Sequence, residues 1–272
     1  MKKICVILYG RQKIKAYNNI LNIIDYLDSD LFLVYENDIC NYLKHNKLIN
    51  KLNVKNIKNN ISNVDSQFLK IKLGWNMMEQ YENKKKFKYD YVFRLRCDIL
   101  YKLNKHVDID TNIKLLKNDV FLNSDFLFYG LRNNVKNCFL LYDLWYEIKN
   151  NNTLYNINIL TLIKTIENNP HECFNIKMWK YYNKIKAIPL PILKKTTNKN
   201  FNKHDTLKIL YNLNEIYVNY NDVLKNNDYK LSFFNDNDKI NRFPCELSIL
   251  LVLLSKNIIP YHSKFIEVIK KV

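Results

Sequence analysis

The residues with the most chemical potential in this chain lie on one short stretch, Tyr91-Val92-Phe93-Arg94-Leu95-Arg96-Cys97-Asp98. Strand alternation sends Tyr91, Phe93, Leu95 and Cys97 to one face and Val92, Arg94, Arg96 and Asp98 to the other. A central strand of a parallel sheet is apolar on both faces. Here the second face turns polar toward its C-terminal end, where open α/β sheets carry their ligand crevice. An arginine fork matches phosphate oxygens, and an aspartate beside it can hold a divalent cation that bridges the same phosphates. This spacing therefore provides for a diphosphate. The competing role for the same residues is an Arg–Asp ion pair at a sheet edge.

Glycine is scarce, with only Gly10, Gly74 and Gly130 in the chain. Gly10 follows the apolar run Ile4–Tyr9 and Gly130 follows Phe126–Tyr129, and a glycine at a strand end marks a sharp turn or a close approach to a ligand. Tyr9, Gly10 and Arg11 thus join Arg94, Arg96 and Asp98 as candidate nucleotide-binding residues. Gly74 falls within a helical pattern and is expected to be a packing site. Glu246 and Asp125 are the candidate general bases. Their alternative roles are a carboxylate favouring the helix dipole after Pro244, and a plain turn residue. Asp90 reads as a strand-entry turn, and His45, His106, His171, His204 and His262 show no ligand spacing.

The elements that must position these residues alternate. Ile4–Tyr9 reads as a buried first strand, followed by a helix with apolar positions at Tyr17, Ile20, Leu21, Ile24 and Leu27. Leu31–Tyr35 is a second strand, and the polar stretch to about residue 65 holds a weaker strand and helix. Phe68, Ile71, Trp75 and Met78 define a clear helix that ends in the lysine-rich 84–88 segment, before the strand at 91–98. Short β runs follow at Val120–Leu122 and Phe126–Tyr129, with helical patterns at 134–149 and 157–167. The segment 170–241 has no clear pattern; Pro244 opens a buried helix to Ser255, and a short strand lies near Ile258–Tyr261. The pattern predicts an α/β fold, an open, mostly parallel sheet flanked by helices in a single domain spanning 1–272. Residues 1–135 would form a mainly nucleotide-binding half and 136–272 a mainly acceptor-binding half.

Composition narrows the class. The hydrophobic share of 47% and the 20 Tyr and 14 Phe argue against disorder. A formal charge of +17 invites a nucleic-acid reading. Yet only Arg11, Arg94, Arg96, Arg132 and Arg242 are arginine, and the lysines are diffuse rather than clustered with aromatics on one helix. A solvated lysine surface attracted to anionic substrates or to a membrane face accounts for it. Cys5, Cys40, Cys97, Cys138, Cys173 and Cys245 show no metal-finger spacing and read as buried free thiols of a reducing compartment. The apolar runs Ile4–Tyr9 and Leu247–Leu254 are too short for a leader or a membrane span, so a cytoplasmic protein is expected. Its basic surface gives it a route to the inner face of a membrane.

The residues just set out resemble a family. A first strand ending in Gly10-Arg11, a long helix, then Tyr89-Asp90-Tyr91-Val92-Phe93-Arg94-Leu95-Arg96-Cys97-Asp98 is similar to bacterial and giant-virus glycosyltransferases of the GT-A type, those of lipopolysaccharide or capsular glycan synthesis. Asn123-Ser124-Asp125-Phe126-Leu127-Phe128-Tyr129-Gly130 and Cys245-Glu246-Leu247 extend the likeness, which covers roughly residues 1–135 and 243–262. In this resemblance Arg96-Cys97-Asp98 stands where the family carries Asp-x-Asp. That implies a nucleotide-diphosphate sugar as donor, a glycan or lipid-linked glycan as acceptor, and a divalent cation, Mn²⁺ or Mg²⁺, at Asp98. Because the first aspartate is Arg96, a site in which Arg94 and Arg96 neutralise the diphosphate without metal is also open. Two other functions compete. A nucleotidyltransferase would carry a glycine-rich phosphate loop after the first strand, where only Gly10 stands, and a basic non-catalytic nucleic-acid binder would concentrate its charge.

Overall fold

The computed structural model describes residues 2–10, 14–36, 44–54, 63–114, 119–123, 127–144, 249, 253, 256, 258–261 and 263–271. The chain divides into two compact units, Met1–Asp143 with Ser263–Val272, and Leu144–His262.

The first unit is α/β. Its elements are β1 (Ile4–Gly10), α1 (Ile14–Tyr26), β2 (Asp30–Tyr35), β3 (Leu48–Asn53), α2 (Asn63–Lys85), β4 (Tyr91–Arg96), β5 (Ile99–Leu103), α3 (Ile109–Lys114), β6 (Val120–Asn123), β7 (Leu127–Leu131) and α4 (Arg132–Phe139). In the second unit the described positions include the two-residue strand β8 (Pro260–Tyr261) and the buried helical residues Ile249 and Leu253. The last strand, β9 (Ile266–Lys271), returns to the first unit. The helix expected at 157–167 and the segment 170–241 lie outside the described residues.

The first unit's strands in the main sheet run β3-β2-β1-β4-β7-β6. Pairing is parallel from β3 through β4 and antiparallel at β4–β7 and β6–β7, so the sheet is mixed and mostly parallel. Position in the sheet follows from composition. β1 and β2 are almost unbroken apolar runs, buried on both faces and central, whereas β3, Leu-Ile-Asn-Lys-Leu-Asn, is half exposed and lies at the edge. Beyond β4, the rings of Phe93, Tyr129 and Phe121 stack across three strands with centroids 4.6 and 4.8 Å apart. The Tyr129 hydroxyl is 2.7 Å from Ser263 Oγ, which accepts the Ile266 N–H and so ties β7 to the start of β9. β9 pairs antiparallel with β5 in a separate two-stranded sheet.

α2 lies on β1 and β2. Its Gly74 is the packing site expected: a Cβ there would come within 2.4 Å of Ile7 Cγ2 and 3.4 Å of Val34 Cγ2. Ile7 is β-branched and fully buried, so it cannot swing away. Gly74→Ala gains helix propensity, yet the overlap dominates, and we expect a net loss of about 1–3 kcal/mol in urea unfolding. A variant as stable as the parent would show that α2 does not press on β1. Gly130, expected to close a strand, instead lies within β7, where its missing side chain makes room for Val135 of α4; an added Cβ would meet Val135 Cγ1 at 3.2 Å.

At the edge of the unit where β4 begins, Glu82 of α2 is fully buried and held by Arg132 at the start of α4. Arg132 Nε donates to Glu82 Oε1 at 2.7 Å and Nη2 to Oε2 at 2.6 Å, with a further bond from Nη2 to Glu79 Oε1 at 3.0 Å. Tyr89 N–H and Lys88 Nζ complete the shell around Glu82. Asp90, read as a strand-entry turn, accepts the Lys3 N–H on its side chain and the Arg132 N–H on its carbonyl. These contacts staple α2, β4, β1 and α4 at the end of the sheet remote from the polar tip of β4. Cys5, Cys97 and Cys138 are buried free thiols, as read from sequence, and burial pushes all three above the usual thiol range.

Candidate functional site

β1 leads through α1 to β2 on one side of itself, and β3 leads through α2 to β4 on the other. The sheet order therefore reverses between β1 and β4, and open α/β sheets bind ligands beyond the carboxyl ends of the strands at such a point. Gly10 and Arg96 are the last residues of these two strands.

Gly10 has φ of +114°, a left-handed conformation that a side chain would strain. A Cβ there would meet only Cys97 N, at 3.9 Å, so backbone shape rather than crowding calls for glycine. The adjacent Tyr9 carbonyl accepts the Cys97 N–H at 3.0 Å, which joins the ends of β1 and β4 beyond their ladder. Tyr9 itself is buried; its hydroxyl accepts from Gln67 Nε2 at 2.9 Å.

The polar end of β4 differs from the alternation expected. The strand stops at Arg96, and Cys97-Asp98 forms a turn into β5. Asp98 is thus not on the strand face; the turn folds its carboxylate back onto Arg96. Arg96 Nε donates to Asp98 Oδ1 at 2.9 Å and Nη2 to Oδ2 at 2.8 Å, a bidentate fork, and the two side chains keep 14% and 12% of their surface exposed. Lys271, the last residue of β9, brings its Nζ to 3.8 Å from Asp98 Oδ2 and is 62% exposed.

The turn is held from below. The Tyr101 hydroxyl accepts the Arg96 N–H at 2.8 Å. The Asn19 side chain donates to the Tyr101 carbonyl and accepts its N–H, both at 2.8 Å, fixing β5 to α1. Burial pushes the Tyr101 phenol above the usual tyrosine range, so it stays neutral and available as an acceptor. The neighbouring Cys97 thiol is raised by burial too and supplies no thiolate.

Arg94 is set apart from this edge. It was expected in the crevice, but its side chain is fully buried. Its guanidinium lies 4.3 Å from the Tyr9 ring centroid and 5.2 Å from that of Phe128. The cause is its place two residues short of the strand end, between β1 and β7, where the rings of both neighbours cover it. Tyr9 and Arg94 form one inner layer beneath the site, with Gly10, Arg96 and Asp98 at its edge. Arg11, Asp125 and Glu246 lie outside the described residues.

Tyr101, Asn19 and Lys271 are the site residues that sequence reasoning missed. For Tyr101 a signal existed, since Ile99-Leu100-Tyr101-Lys102-Leu103 alternates like a strand and follows the motif directly. Asn19 and Lys271 carry no local signal, because only long-range pairing brings them in.

The divalent cation implied at Asp98 does not fit these side chains. Both carboxylate oxygens are engaged by a guanidinium, and an ammonium lies against one of them. A dication there would meet two like charges and share oxygens already taken. Among the described residues, no group of three or more His, Cys, Asp or Glu side chains is placed to hold a metal. Nor is any helix among them long and apolar enough to cross a membrane. No family model matches the chain, and no curated protein matches it significantly.

Proposed function

We propose that the chain is a glycosyltransferase of the GT-A type, moving a sugar from a nucleotide-diphosphate donor to a hydroxyl of a glycan or lipid-linked glycan. One observation carries the reading: a left-handed glycine and an arginine–aspartate fork occupy the carboxyl ends of adjacent parallel strands, where the sheet order reverses. The mixed, mostly parallel sheet and the sequence likeness around Arg96-Cys97-Asp98 support it. In the reaction the acceptor oxygen bonds to the anomeric carbon as that carbon's bond to the diphosphate oxygen breaks. The electron pair leaves with the nucleoside diphosphate, and where configuration inverts the acceptor proton goes to a base, for which Glu246 and Asp125 are the candidates. Charge grows on the leaving diphosphate, so cations fixed at the edge of β4 stabilise the transition state more than the ground state. Work at the cytoplasmic side of a membrane suits a lipid-linked acceptor and a net charge of +17.

The reading is tested by thermal shift and by nucleoside-diphosphate release across a panel of sugar nucleotides. The correct donor at a hundred times its Kd adds about 2.7 kcal/mol of stability and is slowly hydrolysed without acceptor. Pyrophosphate release from a nucleoside triphosphate and a sugar phosphate would instead identify a nucleotidyltransferase. A chain that no sugar nucleotide stabilises, and that releases no product, is not this enzyme.

A further inference from the structure

We infer that the site at the ends of β1 and β4 takes the donor diphosphate without a divalent cation, Arg96 and Lys271 supplying the positive charge and Asp98 holding the Arg96 guanidinium in place. The inference rests on the glycosyltransferase reading and deepens it. Three observations lead there. Asp98, the carboxylate in the metal-binding position of the likeness, has both oxygens committed to one guanidinium. Arg96 is anchored through its backbone as well, by the Tyr101 hydroxyl that Asn19 holds in register, so the fork is pre-set before any ligand arrives. Lys271 stands beside the pair at 3.8 Å, an ion-pair distance but beyond hydrogen-bond length, on a side chain 62% exposed.

Among the described residues, two cations, Arg96 and Lys271, stand against the Asp98 carboxylate at this edge. A metal-binding site would show the opposite balance, with carboxylates in excess and oxygens turned outward. Lys271 is free of any tight hydrogen bond to Asp98, and a small rotation of its long stem would move the ammonium onto a phosphate oxygen. Arg96 keeps its full charge within the fork, and Asp98 fixes the plane in which that charge is presented. Asp98 is then a positioning residue, and Lys271 a diphosphate-binding residue at the far end of the chain from the motif it completes.

The experiment is calorimetric titration of UDP, GDP and inorganic pyrophosphate into the full chain, once in EDTA and once in Mn²⁺. It is repeated on Lys271→Ala and Lys271→Arg, each checked for an unchanged thermal midpoint. At least one nucleoside diphosphate is expected to bind in EDTA within about threefold of its affinity in Mn²⁺. Lys271→Ala should weaken that binding at least tenfold, about 1.4 kcal/mol, and Lys271→Arg should restore most of it. Binding that needs Mn²⁺ overturns the inference and leaves the glycosyltransferase reading standing. Metal-free binding indifferent to Lys271→Ala removes Lys271 from the site and overturns the inference in that form. If none of the three probes binds in either condition the inference is overturned, while the glycosyltransferase reading is decided separately by the sugar-nucleotide panel.

Discussion

Replacing Arg132 with alanine is expected to cost about 3–5 kcal/mol of folding stability, because it breaks a buried ion pair from one side. The substitution leaves Glu82 buried without its closest charge partner and the two hydrogen bonds that partner gave, and Tyr89 N–H and Lys88 remain to solvate it. It also removes the guanidinium 5.0 Å from the Trp75 ring centroid. A paired change, Arg132→Met with Glu82→Leu, should recover much of the loss, because the cost lies in the orphaned carboxylate rather than in the absence of the pair. Urea unfolding of the three variants measures this, and a loss below about 1 kcal/mol for Arg132→Ala would falsify the clamp. The same carboxylate sets an acid limit. Burial alone would raise the Glu82 pKa, but hydrogen bonds from Arg132, the Tyr89 N–H and Lys88 outweigh it and hold the value below the usual 4.5. Its contribution is therefore complete above that value and drains away as pH falls through the lower folded one. Wild-type stability should decline with acid more steeply than that of Glu82→Gln.

Arg96→Ala is the second large effect and, on the proposed glycosyltransferase reading, it falls on activity. Removing a preorganised donor from a site where charge develops lowers turnover by about 10²–10³-fold, or roughly 2.7–4 kcal/mol. Arg96→Lys keeps the charge but cannot form the fork with Asp98, so it should recover only part of the rate. Release of nucleoside diphosphate from the sugar donor is the readout, with the thermal midpoint as a control for folding. Wild-type turnover in Arg96→Ala would place the chemistry elsewhere on the chain.

The parts of this architecture that were legible in sequence are those written locally. β1 and β2 are nearly continuous apolar runs, β4 opens on one before Arg94 and Arg96, and α2 shows its buried stripe at Phe68, Ile71, Trp75 and Met78. The motif at the end of β4 was visible as residue types, but its geometry was not. Alternation continues on paper through Cys97 and Asp98, whereas the backbone turns after Arg96 and converts two same-face side chains into a closed pair. Burial of Arg94 could not be read either, since it depends on the rings of Tyr9 and Phe128 from two other strands. β5 and β9 went unread because each is short and finds its partner across the whole second unit. Arg132 and Glu82, 50 positions apart, gave no spacing signal at all.

The pairing of β5 with β9 also makes the timing of synthesis matter. The strands β1 to β4, β6 and β7 can assemble once residue 143 has left the ribosome, but β9, which carries Lys271, is made only after the whole of the second unit. At roughly 5–20 residues per second, β9 trails β5 by on the order of ten seconds or more. Throughout that interval the nascent first unit presents β5 as an open edge, and the turn bearing Arg96 and Asp98 lacks its third charged group. Closing so long a loop costs little more at equilibrium than closing a short one. The nascent chain would then hold a nearly finished scaffold early and complete the charged edge beside Asp98 only when β9 emerges, with the edge of β5 exposed to mispairing until then.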